Sequence, residues 1–210
     1  MIRVYAFPTP NNVRVPIALE ELGLPYELQR VNIRAAEQKT PEFLALNPNG
    51  KVPVLVDPQG PDGKSLTLTE SGAILIYLAE KTGRLLPRDG ETRYRIFEQM
   101  LFHLTAIGPA FGQAGYFQKL APEPVPAARI RFETESDRVM KVLDERLSNR
   151  IYVAGEEFTI GDVAHFGWMW RRAFADVDLS SYRNVERWYD LVERRPAVQR
   201  AIEKLSALAG

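Results

Sequence analysis

The sequence predicts an α+β chain in which a βαβ unit and then a ββα unit are followed by an all-helical second domain. Three observations predict it. The β-branched and aromatic runs Ile2–Phe7, Tyr26–Ile33, Val52–Val56 and Ser65–Thr69 all precede Gly83. Helical spacing separates the first two of these runs (Val15, Ala18, Leu19, Leu22) and follows the last (Ile74, Tyr77, Leu78). Beyond the turn-rich connector GRLLPRDGET, which starts at Gly83, only helical periodicity remains. The division read from this is 1–83 for the sheet-bearing domain, 84–90 for a linker and 91–210 for the helical domain.

Each element has local justification. Pro8, Thr9, Pro10, Asn11 and Asn12 make a turn and a helix start after the first strand, and Gly23 followed by Pro25 stops that helix. Pro16 leaves two readings open: the helix starts late enough to hold it in the first turn, or one backbone hydrogen bond is lost there. Arg34–Pro41 reads as a loop before a short helix around Glu42–Leu46, within a βαβ crossover expected to be right-handed. The turn Asn47–Gly50 leads into the third strand, and Gly60–Gly63 turns it back as an antiparallel hairpin. A helix from Glu70 or Ser71 ends at Gly83. Further helices are expected over 91–117 with a kink near Pro109, over 127–147 after the loop Ala121–Pro126, over 160–174, and in two shorter pieces after Ser181. The helix from Ile160 is apolar on nearly every face and belongs in the middle of its domain, with Trp168 and Trp170 in the core. Thr159 and Asp162 have the spacing of a capping box, with Phe158 and Val163 as its hydrophobic staple.

Composition narrows the function classes. Lys and Arg number 27 against 27 Asp and Glu, so no net field draws nucleic acid or an anionic membrane to the surface. There is no cysteine, which excludes disulfides, thiolate metal sites and a protein thiol nucleophile; any sulfur chemistry needs a borrowed thiol. The start MIRVYAF, followed at once by prolines, has no signal-peptide pattern, and the expected compartment is the cytoplasm. Gln99–Gln118 carries no charge, yet His103, Thr105 and Gln113 with four Gly or Pro breakers make it a buried, kinked helix rather than a membrane span. His103 and His165 read as too isolated for a metal site, and no metal is expected.

Four motifs then carry a resemblance: IALEELGLPYE from Ile17, NPNGKVPVL from Asn47, LTESGAILIYLAEKTG from Leu68 and FTIGDVA from Phe158. In this order they resemble the cytosolic glutathione S-transferase family, whose thioredoxin-like N-terminal domain and all-helical C-terminal domain match the predicted layout. FPTPN at Phe7–Asn11, IGPAFGQAGYF from Ile107 and RFETESDRVMKVLDERL from Arg131 are most similar to the nu class. The resemblance implies a homodimer that binds glutathione or glutathione disulfide and reduces disulfides or peroxides, with weak conjugating activity. Conjugation of glutathione to carbon electrophiles, or a non-catalytic binding module on the same fold, are the alternatives.

The resemblance also implies a residue set. Thr9 and Asn11 are the groups on the glutathione sulfur, at a helix start that suits a thiolate; by residue type alone they also read as a plain turn and N-cap. Tyr5 is the rival, but it lies inside the strand and reads as core. Pro53 resembles the family's cis-proline, which presents the backbone of Val52 to the cysteinyl backbone of glutathione as an added strand. Glu70 and Ser71, at a helix N-terminus, suit the ammonium and carboxylate of the γ-glutamyl end. Gln38 and Lys51 flank the glycyl end. Arg131, with Arg129 as close competitor, is assigned to a glutathione carboxylate from across the cleft.

Overall fold

A computed structural model of the protein describes residues 1–209. The chain divides into two compact units, Met1–Arg84 with the segment from Arg195 on, and Leu85–Arg194.

The first unit is built from β1 (Ile2–Ala6), α1 (Pro10–Leu22), β2 (Tyr26–Arg30), α2 (Pro41–Leu46), β3 (Val54–Asp57), β4 (Leu66–Thr69) and α3 (Ser71–Thr82). Among the described residues the strands form a sheet of order β2-β1-β3-β4, with β1 parallel to β2 and β3 antiparallel to β1 and β4. β3 is buried along its whole length, as a central strand should be, whereas the more polar β2 takes the edge. The second strand stops short of Ile33 because the Asn32 side chain accepts from the Arg34 N–H and opens a short 3-10 turn. α1 starts at Pro10, so Pro16 is interior and the lost hydrogen bond is the correct alternative. Gly23, at φ 70°, closes the helix in the left-handed conformation.

The second unit contains α4 (Glu91–Phe102), α5 (Gly108–Lys119), α6 (Pro126–Arg146), α7 (Ile160–Trp170) and α8 (Arg183–Glu193). The kink expected near Pro109 is a π-helical turn at His103–Ile107. Proline cannot donate to the preceding turn and crowds its carbonyl, and the wider turn relieves both. α7 is buried from Ile160 to Met169 and ends earlier than expected, where Arg172 Nη1 donates to the Met169 carbonyl at 3.0 Å. Trp170 is a correction to the core reading: it is half-buried, with the Arg171 guanidinium over its ring.

The capping box on α7 is formed. Asp162 does more than cap. Its Oδ1 accepts from the Val153 N–H and from Trp188 Nε1, each at 2.9 Å, and its Oδ2 accepts from the Thr159 N–H at 2.9 Å and hydroxyl at 3.1 Å. Burial pushes this carboxyl up to about 6 against the pull of those donors, so it remains an anion at neutral pH. His103 and His165 are not isolated from each other: their Nδ1 atoms lie 3.2 Å apart, and His165 Nε2 lies 3.1 Å from the Gln99 carbonyl. A carbonyl only accepts, so His165 carries its proton on Nε2, and its Nδ1 accepts from His103.

The last helix, α9 (Pro196–Ser206), packs against α1. The sequence reading placed it in the helical domain, but its contacts group it with the sheet-bearing unit. Ion pairs explain the grouping: Arg195 reaches Glu21 at 2.6 Å, and Arg200 and Lys204 reach Glu20 at 2.8 and 2.6 Å. Burial alone would raise the Glu20 carboxyl, but hydrogen bonds from Lys204, Arg200 and Tyr26 outweigh it and hold the group below its ordinary value. A lowered folded value means stability that is fully present above the unfolded carboxylate range and lost as pH falls from there through the lowered folded value. Glu20→Gln is therefore expected to cost about 1–2 kcal/mol at neutral pH, the range for a charge-assisted bond that is partly solvent-screened. In thermal melts the gap to wild type should close below about pH 4; a gap constant with pH refutes the charge assignment.

Candidate functional site

Three segments distant in sequence meet around one cavity of the first unit. Asn11 comes from the start of α1, Asn47, Lys51, Val52 and Pro53 from the turn before β3, and Glu70 and Ser71 from the start of α3; together they line a space of about 120 Å3.

At the α1 end, Thr9 is the extended N-cap residue, with φ −131° and ψ 162°. Its hydroxyl makes no cap bond to the helix backbone. Instead Thr9 Oγ1 accepts from Asn12 Nδ2 at 2.5 Å, while the Thr9 carbonyl takes the N–H groups of Asn12 and Val13. Pro10 has no N–H, so the Asn11 N–H is the first donor at this helix end. Tyr5 packs edge-on against Phe43 and is partly buried against Val31, Phe43 and Val54, in line with a core role.

The turn at 47–51 is clamped by Asn47. Its Nδ2 donates to the Lys51 carbonyl at 2.7 Å and its Oδ1 accepts from the Asn49 N–H at 3.1 Å. Gly50 sits at φ 60°, and a Cβ there would fall 2.7 Å from Lys39 Nζ and 3.0 Å from the Gln38 carbonyl, so both backbone angle and approach require glycine. The Val52–Pro53 peptide is cis. The ladder begins at Val54, paired with Tyr5 and Thr69, so Val52 lies just outside it.

At the α3 end, Glu70 is the N-cap with φ 65° and ψ 111°, a conformation in the region that favours glycine. Ser71 Oγ accepts from Arg14 Nη1 at 2.9 Å. Arg14 is 1% exposed, and burial pushes its guanidinium down to about 9. A helix N-terminus backed by a buried cation, next to a carboxylate, complements a zwitterion: the N–H groups suit its carboxylate and Glu70 its ammonium.

Other expected site residues lie elsewhere. Gln38 does not line the cavity; its amide nitrogen lies 3.4 Å from the Ile33 carbonyl. Arg131 belongs to the second unit and is exposed on α6. Arg129 is engaged with Glu133 at 2.8 Å, whereas Arg131 makes no ion pair among the described residues. The sequence reading missed Asn12, Arg14 and Asn47 as site components. A signal existed for Arg14: it sits four residues before Ala18 on the apolar stripe, where a charge needs a reason. Among the described residues no group of three or more Asp, Glu or His side chains is arranged to hold a metal, and no helix is long and apolar enough to cross a membrane.

Comparison with known proteins gives two family matches: the glutathione S-transferase N-terminal domain over residues 1–80 and the glutathione S-transferase C-terminal domain over 102–196. Disulfide-bond oxidoreductase YfcG of Escherichia coli is 38% identical, over 97% of this chain and 95% of its own. A glutathione transferase family member from Pseudomonas fluorescens, crystallised with two glutathione bound, is 42% identical with a TM-score of 0.91, over 96% of this chain and 92% of its own. A glutathione transferase from Pseudomonas putida, with one glutathione disulfide bound per subunit, is 40% identical with a TM-score of 0.90, over 96% and 90%.

Proposed function

The chain belongs to the glutathione S-transferase family, and from that premise we propose that it is a glutathione-dependent disulfide oxidoreductase of the nu-class type, able to reduce peroxides by the same thiolate. The observation that carries the reading is the cavity itself, because it unites Asn11 at the start of α1, the cis-proline turn at Val52 and Pro53, and Glu70 with Ser71 at the start of α3, in a chain without cysteine.

The residues divide the tripeptide among them. Glu70 pairs with the γ-glutamyl ammonium, and Ser71 with the free N–H groups of α3 takes the adjacent carboxylate. The rest of glutathione lies along the open edge, where the Val52 backbone pairs with the cysteinyl unit. Lys51 meets the glycyl carboxylate, with Gln38 as an outer support. Thr9 and Asn11 donate to the sulfur and lower its pKa, so that more of it is thiolate at neutral pH.

The chemistry is two thiol exchanges. The bound thiolate attacks one sulfur of a disulfide, forming a mixed disulfide with glutathione and expelling the other sulfur as a thiolate that takes up a proton. A second glutathione attacks the mixed disulfide, giving glutathione disulfide and the second free thiol. Two glutathione moieties therefore meet at one site. The name of the Escherichia coli relative, and the two glutathione or one glutathione disulfide bound in the two Pseudomonas proteins, support this reading. We further read the protein as a cytoplasmic homodimer.

The test is binding plus substrate choice. Calorimetry is expected to show heat with both reduced and oxidised glutathione, and turnover of a small glutathione mixed disulfide should exceed that of an aryl halide by orders of magnitude. A preference for the aryl halide makes the protein a conjugating transferase; no binding heat at all makes it a non-catalytic module.

A further inference from the structure

We propose that Asn12 is a positioning residue for the sulfur-stabilising hydroxyl: its side-chain amide holds Thr9 so that the hydroxyl proton is presented outward as a donor. The proposal rests on the reading of Thr9 as a group that contacts the bound sulfur.

Asn12 is fully buried in the first turn of α1, where a polar amide must satisfy both of its ends. Its oxygen lies 3.4 Å from the Phe7 N–H. A backbone N–H can only donate, so the carbonyl end faces Phe7 and the NH2 end faces Thr9, which settles the amide orientation chemically. From there Nδ2 donates to Thr9 Oγ1.

A threonine hydroxyl has one proton and two lone pairs. With a lone pair taken by Asn12, the proton is free for an acceptor beyond the helix. The bond also displaces the usual N-cap arrangement, in which Oγ1 would accept from a first-turn N–H. The Asn12 N–H goes to the Thr9 carbonyl at 3.1 Å, which leaves the Asn11 N–H for an outside acceptor. The series Asn12 N–H to Thr9 O–H to sulfur is a donor chain whose members polarise one another, so the amide strengthens the hydroxyl as a donor to an anion. Phe7, at the other end of the amide, ties this geometry to the end of β1, and the sequence run FPTPNN supplies every member of the chain.

The experiment is a double-mutant cycle read as the thiol pKa of bound glutathione, from the pH dependence of the thiolate ultraviolet absorbance of the complex. Thr9→Val is expected to raise that pKa by about one unit. Asn12→Ala should raise it by about half a unit to one unit in the Thr9 background and leave it unchanged in the Thr9→Val background. Should Asn12→Ala not fold, Asn12→Asp keeps the acceptor for Phe7 but removes the donor to Thr9. Its shift must then be larger with Thr9 present than with Val at that position. Equal shifts in both backgrounds, or no shift while glutathione remains bound, overturn the proposal. Failure of wild type to bind glutathione overturns the underlying functional reading instead, and this inference with it.

Discussion

Glu70→Gly is expected to lower glutathione affinity by about ten- to a hundredfold while leaving the melting temperature unchanged or a few degrees higher. The loss follows from the ammonium pairing assigned to Glu70, a charge-assisted bond of about 1.5–3 kcal/mol. The stability side follows from the backbone. At φ 65° and ψ 111° a residue with a Cβ carries strain of about 1–3 kcal/mol, which glycine relieves at an entropic cost of about 1 kcal/mol in the unfolded chain. Glu70 is exposed and its side chain makes no cap bond to α3, so nothing in the packing repays that strain. Glu70→Ala is the control: it should lose the same affinity but gain no stability, because its Cβ keeps the strain. Calorimetry with glutathione and thermal melts on the two variants decide the matter, and full affinity in Glu70→Gly removes Glu70 from the site.

How much of this site was legible in the sequence depends on how local its causes are. The starts of α1 and α3, the turn at Asn47–Gly50 and the strand after Pro53 announce themselves through Pro, Asn, Gly and Ser at positions where the backbone needs them, and Asn11, Asn47, Pro53 and Ser71 of these line the cavity. What escaped reading is non-local. Arg14 and Ser71 are hydrogen-bonded across 57 positions, and His103 and His165 meet across 62. No spacing rule predicts such pairs. Asn12 escaped for another reason: its partners Phe7 and Thr9 are local, but an asparagine after Pro-Asn reads as one more turn residue until its burial is known. α9 was assigned by periodicity to the helical part, since periodicity records that a helix has an apolar face and not what covers it.

The capping box of α7 was fully readable, yet its energetic weight was not, because the sequence shows Thr159 and Asp162 but not Val153 and Trp188 converging on the same carboxylate. Asp162→Ala should therefore cost far more than a lost cap, which is worth about 1 kcal/mol. It leaves the Val153 and Thr159 N–H groups and the Trp188 indole N–H buried without their acceptor, each at about 1–3 kcal/mol, while the Thr159 hydroxyl can rotate to another partner. Some relaxation brings the expected total to about 3–5 kcal/mol, or a fall in melting temperature of about 6–20 °C for a chain of this length. Asp162→Asn should lose less, because its remaining oxygen can serve Val153 and Trp188 while its NH2 meets the Thr159 N–H donor to donor. Glutathione affinity, measured well below the transition, should stay within about twofold of wild type, since Asp162 lies in the second unit and the cavity in the first. A drop in affinity at an unchanged melting temperature would move Asp162 from the folding apparatus into the site, and the structure gives no path for that.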